Sequence, residues 1–183
     1  MPGKTRAGRR VKMTATVFTI GYEGAAVDDF LSTLAHAGIM HVIDIRDVPA
    51  SRKRGFSKNV LAAALEENGV GYTHLKPLGD PKPGREAMRR GDYATFLQIY
   101  KDHIVQAPAQ ASLVDAVNIA LAEPSALLCY ERDPKHCHRT LVAGMMKEKA
   151  QFAIRHLGVN ARKMRPEGRG VDGADFGATY AVG

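Results

Sequence analysis

Residues Leu127–Arg139 read LLCYERDPKHCHR, which places two cysteines, two histidines and five charged residues in one short stretch. An apolar run precedes it, so the spacing predicts a strand handing over to a helix that starts near Cys137. A thiol at a helix start, flanked by His136 and His138, is where a cysteine pKa falls. Cys137 is therefore the expected nucleophile, with His138 as its partner. Cys129, inside the apolar run, reads as packing. A first helical turn carries a partial positive charge, so Arg139 there is disfavoured unless something negative joins it. Either an anion binds at the helix start, or Arg139 pairs with Glu131, Asp133 or Asp44. Glu131 and Asp44 are the carboxylates expected to act as general acid or base.

Three chemistries compete for this stretch. A phosphatase loop needs a cysteine, five residues and an arginine, but the count from Cys129 ends on Lys135. Rhodanese-like sulfur transfer stays open, since it needs a cysteine on a loop of backbone N–H groups. A metal site would have suitable atoms in Cys129, Cys137, His136 and His138. Their spacing is not that of a zinc finger or knuckle, so no residue is assigned to a metal.

A second stretch, Asp44–Phe56, reads DIRDVPASRKRGF. Asp44 and Arg46 are two apart at a strand end and share a face. Arginine forks recognise phosphate or carboxylate, and Arg46 and Arg52 are the expected anion-binding residues here. Tyr22, just past an earlier strand, joins them. Lys53 and Arg54 read as a solvated basic loop. Residues 72–93 hold three prolines and three glycines and read as a long binding loop or lid.

These residues need a scaffold. Residues 16–22 (TVFTIGY) read as a strand, followed by a helix ending at Gly38. Residues 41–46 form a second strand and Ser57 caps a second helix. Residues 70–75 form a third strand. Asp92 caps a helix over 93–105, another follows, and residues 125–130 form a fourth strand. The last helix is expected from about Cys137 to Leu157. Strands separated by helices predict a single three-layer α/β domain with a mostly parallel sheet of about four or five strands flanked by helices. In such sheets ligands sit outside the carboxyl ends of the strands, so Tyr22, Arg46, Arg52, Glu131 and Arg139 are expected in one cleft.

The chain has 183 residues and a net charge of +7. Residues 1–13 hold five basic residues and no acid, and residues 155–183 hold five basic and three acidic. The stretch between is balanced, with 16 of each. The division expected is a basic disordered arm over 1–14, the α/β domain over 15–158 and a Gly-rich tail over 159–183. No apolar run approaches a membrane span or a signal-peptide core, and two cysteines make no disulfide framework. A cytoplasmic protein with no membrane partner is the expectation.

Four motifs in this order, TIGYEG (Thr19–Gly24), DIRDVPASR (Asp44–Arg52) with GFS after it, HLKPLGD (His74–Asp80) and LLCYERDPKHCHR, resemble the family of domains of unknown function numbered 488. The resemblance covers roughly residues 16–158. It implies an α/β fold and no settled reaction. In that family's pattern the third motif ends in Gly-Gly, whereas this chain has Asp80 in the last place.

The expected function is an enzyme acting on a phosphate-bearing ligand, a nucleotide or nucleic acid, with cofactor and oligomeric state unspecified. A non-catalytic nucleic-acid-binding module and a Cys-dependent sulfur-transfer or redox protein are the alternatives. The arm yields a prediction of its own. A chain lacking residues 1–13 should melt cooperatively at an unchanged temperature while binding polyanions with a weaker salt dependence. Loss of the cooperative melt would give the arm a role in the fold.

Overall fold

A computed structural model describes residues 14–159, so the arm and nearly all of the tail lie outside the described residues. Five strands form one sheet: β1 (Thr16–Gly21), β2 (His41–Asp44), β3 (Gly71–His74), β4 (Ser125–Cys129) and β5 (Ala153–Leu157). Their order is β3-β2-β4-β1-β5 and every pairing is parallel. Six α-helices connect them: α1 (Val27–His36), α2 (Lys58–Glu67), α3 (Lys82–Arg89), α4 (Tyr93–Ile104), α5 (Ala107–Ala122) and α6 (His138–Ala150). The chain is a single α/β domain with helices on both faces. No single helix among the described residues is long and apolar enough to cross a membrane; α4 and α5 reach that length only together, across an 85° bend.

Strand alternation builds two cores. On one face Ile20, Val42, Ala126 and Leu128 meet Phe30 and Leu34 of α1 and Leu61 and Leu65 of α2. On the other, Val17, Ile43 and Leu127 meet Phe96 and Tyr100 of α4, Leu113 of α5 and Val142 and Met146 of α6. All five β4 residues are buried, as expected of a central strand covered on both faces. The helix after β1 lies on one face and the helix after β4 on the other. Such a switch of direction between neighbouring strands is where α/β sheets place ligands; here the chain stays paired just beyond it, Tyr22 N donating to Cys129 O at 3.3 Å and Glu23 N to Tyr130 O at 2.8 Å.

Local signals explain most boundaries. Asp92 caps α4 by accepting from the Thr95 N–H at 3.1 Å. Gly38 and Gly69 take φ of 66° and 70° just past α1 and α2. Ser57 does precede α2, but its hydroxyl donates to Ser51 O at 3.0 Å and pins the preceding loop instead of capping.

Two stretches differ from expectation. Residues 72–93 are not one long loop: they hold the end of β3, a 3-10 turn (Lys76–Leu78) and α3. The prolines fall where a first helical turn tolerates them, Pro77 in the 3-10 turn and Pro83 in α3. The last helix stops at Ala150 because Gln151 adopts the left-handed conformation, φ 55°. The chain then turns back as β5 beside β1. Phe152 and Ile154 pack on the core with α4–α6, an alternation visible in the sequence once a strand is sought there.

Gly21 ends β1 under the β4–α6 connection. A Cβ at this position would overlap the backbone carbonyl of Glu131 and crowd the Arg139 guanidinium. Gly21→Ala should destabilise the fold by about 1–3 kcal/mol through this overpacking. A Cβ at Gly24 meets nothing within 4 Å, so Gly24→Ala bears only the strain of its φ of 74°, about 1 kcal/mol. Urea unfolding of the two variants should rank them in that order; equal losses would mean that the loop yields freely.

Candidate functional site

The carboxyl edge of the sheet holds two polar clusters, one on each face. Asp44 and Arg46 belong to the first. Asp44 Oδ1 accepts from Arg46 N at 3.0 Å and Nε at 2.8 Å, and Oδ2 accepts from Arg46 Nη2 at 2.5 Å and Tyr72 Oη at 2.6 Å. Arg46 Nη1 donates to Tyr22 Oη at 3.1 Å and Phe56 O at 2.8 Å. The Tyr22 ring stacks on Phe56 with centroids 4.3 Å apart. Asp44, Arg46 and Tyr22 are all buried. Burial opposes the charge on Arg46, yet the Asp44 carboxylate makes it hold its proton more firmly than usual. Burial and the same carboxylate raise the Tyr72 phenol.

This cluster is satisfied within itself. The shared face predicted for Asp44 and Arg46 is present, but it makes an ion pair. The geometry gives Asp44 no free lone pair for acid–base work, and gives Arg46 and Tyr22 no opening to an anion.

Arg139 is likewise turned to the fold. It is fully buried. Nε donates to Thr19 Oγ1 at 3.3 Å, Nη1 to Glu131 O and Nη2 to Arg132 O at 2.9 Å. Thr19 Oγ1 also bonds His156 Nδ1 at 2.8 Å. Neither expectation for Arg139, an anion or a carboxylate partner, matches this: its partners are loop carbonyls, which a buried irregular segment must satisfy. Sequence cannot reveal this, because carbonyls are present at every position.

The second cluster lies on the other face. Cys129 ends β4, Cys137 precedes α6 in an extended conformation, and His138 is the first residue of α6. One ligand-type atom from each lies within 4.8 Å of the other two, and all three residues are buried. Cys129 Sγ is 3.7 Å from His138 Nδ1. His138 Nε2 is 3.0 Å from Ile45 O. A carbonyl only accepts, so Nε2 carries a hydrogen, and Nδ1 is the ring nitrogen turned toward Cys129. The Tyr100 ring lies 5.7 Å from His138 and its hydroxyl donates to Leu78 O at 2.8 Å.

The two thiols sit in different electrostatic settings. Donation from Cys137 and the charge of His138 pull the Cys129 thiol well below its ordinary value, against burial. Burial and the neighbouring Cys129 push Cys137 well above. Burial opposes charge on His138, but Cys129 and the Ile45 carbonyl raise it to about 8. Cys129 is thus the more acidic of the two thiols, with Cys137 placed to donate to it. The helix-start rule favoured Cys137, but burial outweighs it.

Asp80 adjoins this cluster. It is 6% exposed, and its Oδ1 is the buried side-chain oxygen without a hydrogen-bond partner among the described residues. Burial raises its carboxyl to about 6, against the charges of His138 and Arg85. Arg85 donates to Asp80 O and, at 2.5 Å, to Asp47 Oδ2, which leaves the Asp80 carboxylate uncompensated. Glu131 and Arg52 are exposed at the same edge, and burial of its carboxyl raises Glu131. Tyr22, Arg46, Arg52, Glu131 and Arg139 lie at the carboxyl edge, but Tyr22, Arg46 and Arg139 are buried with partners inside the fold, and only Arg52 and Glu131 are exposed.

The family model described as Domain of unknown function DUF488 matches residues 26–146. This is about two thirds of the chain, and the chain belongs to that family. The matched span begins after the first motif and includes Asp44, Arg46, Asp80 and the whole Leu127–Arg139 stretch. No curated protein and no solved structure matches the chain.

Arg139→Ala strips two loop carbonyls and Thr19 of their donor inside the core. The expected loss is on the order of 3 kcal/mol, read from urea unfolding. An unchanged midpoint would return Arg139 to a ligand-facing role.

Proposed function

We propose that this protein is an enzyme acting on a phosphate-bearing ligand, a nucleotide or nucleic acid. The ligand would lie on the carboxyl edge of the sheet, above a reactive centre made by Cys129, Cys137 and His138. The observation that carries the reading is the setting of that centre. It lies at the carboxyl end of β4, against the Ile45 carbonyl that follows β2, and cationic segments follow β2, β3 and β4. Arg52 and Arg54 follow β2, Arg89 and Arg90 follow β3, and Arg132 and Lys135 follow β4, all exposed. In a wholly parallel sheet these segments emerge on one edge. The body of the chain is neutral in total, so this gathering is a matter of placement rather than composition. Glu131 is the exposed carboxylate nearest in sequence to the centre.

Arg52, Arg132 and Lys135 have no ion-pair partner among the described residues. Arg132 serves the fold through its backbone, its carbonyl accepting from Arg139 and its N–H donating to Glu23. Its side chain is therefore dispensable to the loop. The basic arm, the basis of the non-catalytic nucleic-acid reading, lies outside the described residues. The second reading, sulfur transfer or redox chemistry, draws on the closeness of Cys129 and Cys137 and requires both thiols to be free.

The triple variant Arg52→Ala, Arg132→Ala, Lys135→Ala should keep its melting temperature. It should lose at least roughly tenfold in affinity for a labelled single-stranded oligonucleotide or ATP, with a shallower salt dependence. Unchanged affinity, or no salt-dependent binding of either probe by the wild type, would sink the reading.

A further inference from the structure

The two polar clusters differ in one respect that the ligand reading does not use. Around Asp44 every donor and acceptor has a partner. Around His138 the Cys129 and Cys137 sulfurs and the imidazole are packed together in the core, and Oδ1 of nearby Asp80 has no hydrogen-bond partner among the described residues. Tyr100 directs its hydroxyl to Leu78 O, and Arg85 directs its guanidinium to Asp47 and a backbone carbonyl. A buried group of this kind calls for a cation.

The spacing says which cation. Zinc sits about 2.3 Å from thiolate sulfur and about 2.0–2.1 Å from imidazole nitrogen in tetrahedral geometry, which puts such ligand atoms about 3.6 Å apart. Cys129 Sγ and His138 Nδ1 are 3.7 Å apart. The three ligand-type atoms fall within 4.8 Å of one another, so one ion reaches all of them with small side-chain adjustments. The outer nitrogen of His138 is already held by the Ile45 carbonyl, the arrangement that fixes a metal-binding histidine in the right tautomer. Two thiolates and an imidazole select a borderline-soft ion over magnesium or calcium.

We infer that Cys129, Cys137 and His138 bind one zinc ion per chain, leaving a fourth position open to water. Three protein ligands and an open position are the pattern of reactive rather than purely structural zinc. Asp80 does not join the three-atom group, and its unpartnered Oδ1 packs against Gly84 of α3, so it is not one of the ion's ligands. The inference rests on the reading above only for the location of the centre. It makes no use of the phosphate-bearing ligand.

The test uses the untagged full chain, reduced, stripped with a chelator and titrated with zinc and with cobalt(II). One equivalent of zinc should bind in competition with a chelating dye and should protect both cysteines from iodoacetamide. Cobalt should give the thiolate charge-transfer band of two sulfurs and the visible absorption of tetrahedral coordination. Cys129→Ser or Cys137→Ser should lower the charge-transfer intensity by about half. Zinc affinity should fall by more than the ~10–100-fold that loss of even an outer partner costs. Asp80→Asn should keep the charge-transfer band and the stoichiometry. The inference is overturned if wild-type protein takes up no stoichiometric metal, or if its cysteines alkylate equally fast with and without zinc, the result expected of a free thiol pair. Metal uptake that survives in the triple cation variant, with oligonucleotide binding lost, supports both proposals. Oligonucleotide binding without metal uptake overturns this one alone.

Discussion

The Arg139 guanidinium, 120 residues from Thr19 in sequence, ties the first strand to the connection between β4 and α6. It rises from α6, reaches Thr19 in β1 and holds the carbonyls of Glu131 and Arg132 in the connection after β4. That connection has no strand or helix to satisfy its backbone beyond one 3-10 turn (Pro134–His136). A charged donor with several N–H groups in a fixed fork can serve several carbonyls at once, which neither lysine nor a neutral side chain does. The pinned loop then returns Cys137 to within reach of Cys129 after seven intervening residues. The absence of a Cβ at Gly21 makes room for the same loop from below.

The sheet separates two kinds of polar chemistry by parity. Asp44 follows Ile43 and precedes Ile45, so its side chain crosses to the face of α1 and α2 while its neighbours face α4–α6. There it meets Arg46, Tyr72 and Tyr22 in a closed arrangement. Breaking such a pair from one side leaves an uncompensated buried charge, which costs about 3–5 kcal/mol. Cys129 follows Leu128 and faces the other way. Its surroundings hold reactive groups and an unpartnered carboxylate instead of a complementary charge. A satisfied cluster holds a structure together, and an unsatisfied one is where ligands and chemistry are sought.

Much of this was legible in the sequence. The strand–helix alternation carried the fold class, Asp92 carried its cap, and the four motifs carried the family. The edge on which the chemistry gathers also followed, because a parallel sheet puts every strand's end on one side. What was lost was direction. Arg46 and Arg139 look alike in sequence to ligand-binding arginines, and only burial shows that their forks are filled by Asp44 and by loop carbonyls. The difference between Cys129 and Cys137 was hidden too: both are buried, and the hydrogen bond between them and the nearness of His138, not the helix start, make Cys129 the more acidic. The end of α6 escaped because Gln151, not glycine, takes the left-handed turn. Cys129, Cys137 and His138 were named in the sequence, but their closeness was not legible because their spacing matches no short motif: they come from a strand end and a helix start joined by a loop.

β1 lies between β4 and β5, and its residues are hydrogen-bonded to partners far along the chain: Thr19 meets His156 across a separation of 137 residues. The first strand to leave the ribosome is therefore without sheet neighbours until more than a hundred further residues have been made. β2 and β3 can pair early, since only α2 and its loops lie between them. The apolar β1 strand must wait, and closing so long a loop slows folding. Nascent chains would expose that strand for most of synthesis, a period in which unpaired apolar edges invite aggregation or a chaperone.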